Sequence, residues 1–219
     1  MHLTIKDIEQ ETHSKLPRDY RYHFNEGAGD MVRLNDNEKA FGRYKLHPRD
    51  LRDVAEVDST TEIFKTKVSM PLGFAPGPAA AHRFAHENAE RRTSRAAANN
   101  GIAMCLSTWS TTSTVYTAED VQLAIEKGVD CVVISNHGGR QLNGQPATPD
   151  ALRDCAPVAQ GKIPLAIDGG IQSSADIFKA IALGASMCFI GRIPIWGLAY
   201  NGEAGVDLAL KILLEFILR

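Results

Sequence analysis

Short apolar runs alternate with helix-like segments from Leu72 onward, and this alternation constrains the fold more than any other feature of the chain. The runs are Leu72 to Ala75, Ala103 to Leu106, Val129 to Ile134, Pro164 to Ile167 and Met187 to Ile190. Near-continuous apolar runs suit strands buried on both faces, as in a parallel sheet. Between them, Glu87 to Asn100, Thr117 to Lys127, Ser173 to Leu183 and Val206 to Leu218 read as helices. Thr117 and Ser173 stand where N-caps belong, Glu119 and Asp120 complement a helix N-terminus, and Gly128 and Gly184 mark stops. Strands alternating with helices make βαβ units. One such unit takes roughly 30 residues and a closed eight-stranded barrel about 250. Residues 71–219 therefore hold about five units, too few to close a (β/α)8 barrel.

Residues 1–70 form a different, non-repeating lead-in. Ile5 to Lys15 can make an amphipathic helix that Leu16-Pro17 stops, and Asn35 to Phe41 suggests another. Between them lie the aromatic patch Tyr20, Tyr22, His23 and Phe24 and the turn Gly27-Ala28-Gly29-Asp30.

Composition narrows the function classes. A net charge of −2 with dispersed basic residues offers no stripe for nucleic acid. The four cysteines, Cys105, Cys131, Cys155 and Cys188, are widely spaced, as reduced buried thiols are, and form neither a disulfide framework nor a metal-ligand pattern. No apolar run is long enough for a membrane span, the first residues do not read as a signal peptide, and Ile217-Leu218-Arg219 is not a peroxisomal address. The expectation is a cytoplasmic protein that binds neither membrane nor nucleic acid.

The chemistry concentrates in Ser135-Asn136-His137-Gly138-Gly139-Arg140-Gln141-Leu142, directly after the third apolar run. A potential proton acceptor and a fixed cation thus stand just past a strand's C-terminal end, where parallel α/β folds place their active sites. Arg140 can grip a carboxylate with two donors while His137 takes a proton. Asp168-Gly169-Gly170 and Gly191-Arg192 follow the last two strands, the usual phosphate-binding turns of barrels.

The octet resembles the active-site signature of the FMN-dependent 2-hydroxy acid oxidoreductases, and nearly the whole chain resembles that family. The resemblance implies that His137 is the catalytic base, removing a proton from the Cα–H or from the hydroxyl, and that Arg140 binds the substrate carboxylate. It implies that Asp168, Gly169, Gly170, Gly191 and Arg192 hold the FMN ribityl chain and phosphate, with Pro76 and Ser107 against the flavin and Tyr22 as a substrate-binding candidate. A small 2-hydroxy acid is then oxidised to the 2-oxo acid, and oxygen or an electron carrier takes the electrons. Two departures stand out. Gln172 occupies a position where the family usually carries a phosphate-binding Arg. Further, Ser113-Thr114-Val115 passes directly from the family's second strand to its fifth helix, so the barrel retains only family strands one, two, six, seven and eight. The strand-five Lys and the carboxylate that orients the base fall in the missing part. The alternative expectation is a catalytically inactive shortened form that binds FMN or phosphate weakly or associates with partners, with a homo-oligomer possible through unpaired strand edges.

Overall fold

The computed structural model describes residues 3–48, 56–63, 65–77, 82–106 and 115–214. The lead-in contains α1 (Ile5–Lys15), α2 (Arg18–Asn25) and α3 (Val32–Ala40), then the antiparallel hairpin β1 (Thr61–Ile63) and β2 (Thr66–Val68). Alternation follows: β3 (Leu72–Gly77), α4 (His82–Ala85), α5 (Ala89–Asn99), β4 (Ala103–Leu106), α6 (Ala118–Glu126), β5 (Val132–Ile134), α7 (Thr148–Ala159), β6 (Leu165–Asp168), α8 (Ser174–Ala182), β7 (Met187–Ile190) and α9 (Arg192–Leu214). Thr4, Thr117 and Ser173 each cap a helix, their hydroxyls accepting from Asp7, Asp120 and Asp176 backbone N–H groups. Among the described residues no helix is long and apolar enough to cross a membrane.

The five strands β4-β3-β7-β6-β5 form one parallel sheet in that order. Read as a ring, this is chain order, with the first strand of the alternation (β3) paired to the last (β7). That pairing is the one that closes a (β/α)8 barrel. Among the described residues β4 and β5 are not paired with each other, and the sequence jump falls between them. Val115, the first described residue after the jump, makes a parallel bridge to Ile134 on the β5 edge. The result is an α/β fold of the TIM-barrel type, with five parallel strands among the described residues.

Successive side chains of the sheet face opposite layers. One face packs on the helices through Leu72, Phe74, Ile134, Leu165, Ile167 and Cys188. The other forms the concave inner face, where Ala166, Met187 and Phe189 meet Val68 of the hairpin, which plugs the N-terminal end. The lead-in, expected to be helical, therefore also supplies a β-hairpin, because Val68 and Ile63 find apolar cover under the strands. A cleft of about 480 Å³ between this hairpin and the strand starts is lined by Glu62, Lys65, Asp130, Cys131 and Met187. It sits at the N-terminal ends of the strands, opposite the octet.

Candidate active site

Because the sheet is parallel, Ile134, Asp168 and Ile190 all deliver the chain to one rim, and the octet and both glycine turns meet there. After β5, His137, Gly138 and Gly139 run through the left-handed region with φ of 55, 61 and 77°. For His137 this conformation costs about 1–2 kcal/mol and has to be held by its surroundings. Asn136 accepts from Gly139 N–H at 3.1 Å, and His137 N–H donates to Ser135 Oγ at 3.1 Å. The lead-in clasps the turn from outside: Ala28 N–H donates to the Gly139 carbonyl at 2.8 Å. Only a glycine fits at 139, since a Cβ would stand 2.7 Å from Leu34 N.

Asn37 of α3 ties the turns together. Its side-chain amide and that of Asn136 exchange two hydrogen bonds of 2.8 Å, and both residues are buried. Asn37 also backs onto the Gly169–Gly170 turn, whose φ values are 89 and 82°. Asn37→Ala leaves the Asn136 amide buried without its partner, so a stability loss of about 2–3 kcal/mol is expected in urea titration. An Asn37→Ala protein as stable as the wild type would contradict this.

The electrostatics set two cations side by side. Arg192 donates through Nε to the Phe24 carbonyl (2.8 Å), through Nη1 and Nη2 to Gly138 (3.1 Å each), and through Nη2 to Glu26 (3.3 Å). Burial, then the Arg140 charge, pushes its pKa down to about 10. Arg140 donates through Nη1 alone, to the carbonyls of His23 and Glu26. Its Nε/Nη2 edge is thus available for a carboxylate among the described residues, the geometry that bidentate binding uses. Neither guanidinium has an ion-pair partner among the described residues. Partial desolvation and both cations push the His137 pKa below its usual 6.5, which keeps the imidazole neutral and basic at pH 7. Among the described residues no group hydrogen-bonds the His137 ring.

Asp168 completes the rim. Burial pushes its carboxyl up to about 6 against the opposing effects of a Ser135 hydrogen bond and the Arg192 charge. Its Oδ1 is buried with no hydrogen-bond partner among the described residues, an acceptor that a hydroxyl-rich ligand chain would satisfy. Gln172 donates to Glu38 Oε1 at 3.2 Å, a contact that turns it toward a carboxylate.

The rim thus gathers His137, Arg140, Asp168, Gly169, Gly170, Gly191 and Arg192. Pro76 is exposed at the end of β3, and Ser107 lies outside the described residues. Tyr22 is exposed, with the guanidinium groups of Arg18 and Arg21 over its ring at 5.5 and 5.8 Å, while its neighbour His23 contacts Arg140. Asn37 joins the site without having stood out in the sequence, and Ser135 does so as the first residue of the octet.

A neutral imidazole, a guanidinium with a free edge and glycine turns thus stand together at the C-terminal rim. Comparison with known proteins gives the family. The sequence matches the FMN-dependent dehydrogenase profile over residues 12–115 and 114–218, two segments that meet at the jump between β4 and β5. It is 35% identical over 313 residues to Oxidase FUB9 of Gibberella fujikuroi, covering 97% of this chain and 87% of that protein. It is 28% identical over 335 residues to human 2-Hydroxyacid oxidase 1, covering 97% and 90%. Both alignments run well beyond the 219 residues present here. The structure superposes on mandelate oxidase crystallised with benzoyl-formic acid with a TM-score of 0.90 at 23% identity, covering 98% of this chain and 92% of that one. The chain belongs to the FMN-dependent dehydrogenase family, the FMN-dependent 2-hydroxy acid oxidases, in a shortened form.

Proposed function

We propose that this chain binds FMN at the rim of β6 and β7 and oxidises a small 2-hydroxy acid to the 2-oxo acid with reduced turnover. The observation that carries this reading is the octet turn, which sets a neutral His137 beside Arg140 with a guanidinium edge free. The orphaned Asp168 Oδ1 suits the flavin's polyol chain, and the Gly169–Gly170 and Gly191–Arg192 turns suit its phosphate, so the residues fit the cofactor. When bound, FMN supplies the two-electron acceptor. Arg140 holds the substrate carboxylate and orients the acid, and His137 accepts the proton. Oxygen or an electron carrier regenerates the acceptor.

Two observations support reduced turnover. Among the described residues the His137 ring lacks an orienting partner, and such a partner controls tautomer and basicity. Among the described residues β4 and β5 are also unpaired with each other, which gives the cofactor fewer walls, and positioning carries much of catalysis. A second reading, an inactive form that self-associates, rests on the same two open edges.

The test is anaerobic bleaching of protein-bound flavin by lactate, glycolate and mandelate. Slow bleaching by at least one acid is expected, falling about 10²–10⁴-fold in His137→Ala with flavin still bound. Because His137 titrates below 6.5, the bleaching rate should stay flat through neutrality and fall only below that pH. Bound flavin that no 2-hydroxy acid bleaches would favour the inactive form.

A further inference from the structure

The two site cations are held by carbonyl groups from one short segment, and the placement of that segment depends on one side chain. The carbonyls of His23, Phe24 and Glu26 at the end of α2 accept from Arg140 and Arg192. With the two bonds to Gly138, four of the five guanidinium N–H donors of Arg192 are engaged. Asn25 sits in the middle of this segment. Its Nδ2 donates to His13 Nε2 on α1 at 2.6 Å, and its Oδ1 accepts from Trp196 Nε1 on α9 at 2.8 Å. Trp196 is buried to 2% exposure, so this tether ends in the core. Arg21 adds a weaker tie, donating to the His13 carbonyl at 3.2 Å.

We propose that Asn25 is a positioning residue that limits how tightly the Arg140–Arg192 pair takes an anion, by holding the carbonyls of residues 23–26 against both guanidinium groups. The inference rests on the anion-binding reading of the site. An oxyanion that engages the Nε/Nη2 edge of Arg192 through two parallel N–H donors has to displace the Phe24 and Glu26 carbonyls. A phosphate accepts such bonds more strongly than a neutral carbonyl does, because the attraction is between full charges. What opposes the exchange is the cost of moving the end of α2, and Asn25 sets that cost through two elements at once. Loosening the tether therefore strengthens anion binding. A purely structural asparagine would act in the opposite direction, since damage to a site weakens its ligand.

The test is flavin-fluorescence titration of FMN with wild type, Asn25→Ala and His13→Ala, with inorganic phosphate as competitor. Asn25→Ala is expected to bind FMN about tenfold tighter, the factor that about 1.4 kcal/mol of relieved competition gives, near the net worth of one hydrogen bond. His13→Ala removes one arm of the tether and should shift binding the same way by less. It carries the test if Asn25→Ala fails to fold. In a Trp109→Phe background, phosphate should shift the emission of Trp196 as its indole loses Asn25. Folded variants that bind FMN no tighter than the wild type would overturn the role of Asn25 alone. A wild type that binds neither FMN nor phosphate would overturn the anion reading and this inference together.

Discussion

Gly170→Ala should destabilise the protein by about 3 kcal/mol or more, a large part of the 5–15 kcal/mol that holds a typical domain folded. An added Cβ would stand 2.2 Å from the Asn37 carbonyl oxygen and 2.4 Å from its carbon, and the residue has φ of +82°. The overlap is with backbone, so no rotamer change relieves it, and α3 has to lift from the rim. Overpacking of this kind costs about 1–3 kcal/mol and the left-handed conformation about 1–2 more. Gly144→Ala is the control, since Gly144 has φ of +90° with nothing within 4 Å of a Cβ, and it carries the strain alone. Urea midpoints of the two variants separate the contributions. Equal losses would mean that α3 does not press on the Gly169–Gly170 turn.

Asp168→Asn should stabilise the protein at neutral pH by about 2–3 kcal/mol, because the native carboxyl titrates near 6 and not at 3.8. The sign follows from proton uptake. Between about 4 and 6 the native state holds a proton that the unfolded chain has released, so wild-type stability falls as pH rises through this window. Above about 6 both states are ionised and the loss is complete. The advantage of the variant should therefore grow between pH 4 and 6 and stay constant above. A pH-independent difference, or a variant less stable at pH 7, would show that Asp168 is not penalised by burial. The same substitution should weaken FMN binding, since an acceptor suited to the flavin's polyol chain loses its charge. A stability gain joined to a binding loss is expected of a residue kept for function.

Much of the sheet was legible because its signals are local. The runs at Ala103 to Leu106 and Met187 to Ile190 became strands with those bounds, and Thr117 and Ser173 cap as their hydroxyl spacing required. The third strand is shorter than its apolar run: it begins at Val132, since Val129 to Cys131 lie where the helix ends and the sheet starts. The aromatic patch Tyr20 to Phe24 concealed α2, whose Asp, Tyr, His, Phe and Asn residues carry little helical preference. Residues 148–159 form α7, with Pro149 in its first turn, and no helix was read there. The final helix starts at Arg192, well before Val206, and continues across a kink at Asn201 and Gly202.

In the site, the octet and both glycine turns were legible as motifs, and parallel pairing alone brings them to one rim. The contacts that hold the rim were not. Asn37 is one of several polar residues in a polar helix, and Asn25 ends another. Their roles depend on partners 99 and 171 positions away, which no local spacing encodes. The engagement of Arg192 by three backbone carbonyls was equally hidden, because backbone acceptors leave no mark in a sequence.

The five parallel strands among the described residues, closed at β3–β7, should still form a cofactor site. Equilibrium dialysis of the purified chain against FMN, read by visible absorption on both sides, tests it most directly. The protein side should hold excess flavin with shifted bands, and less of it when inorganic phosphate competes. Equal flavin on both sides of the membrane would contradict it.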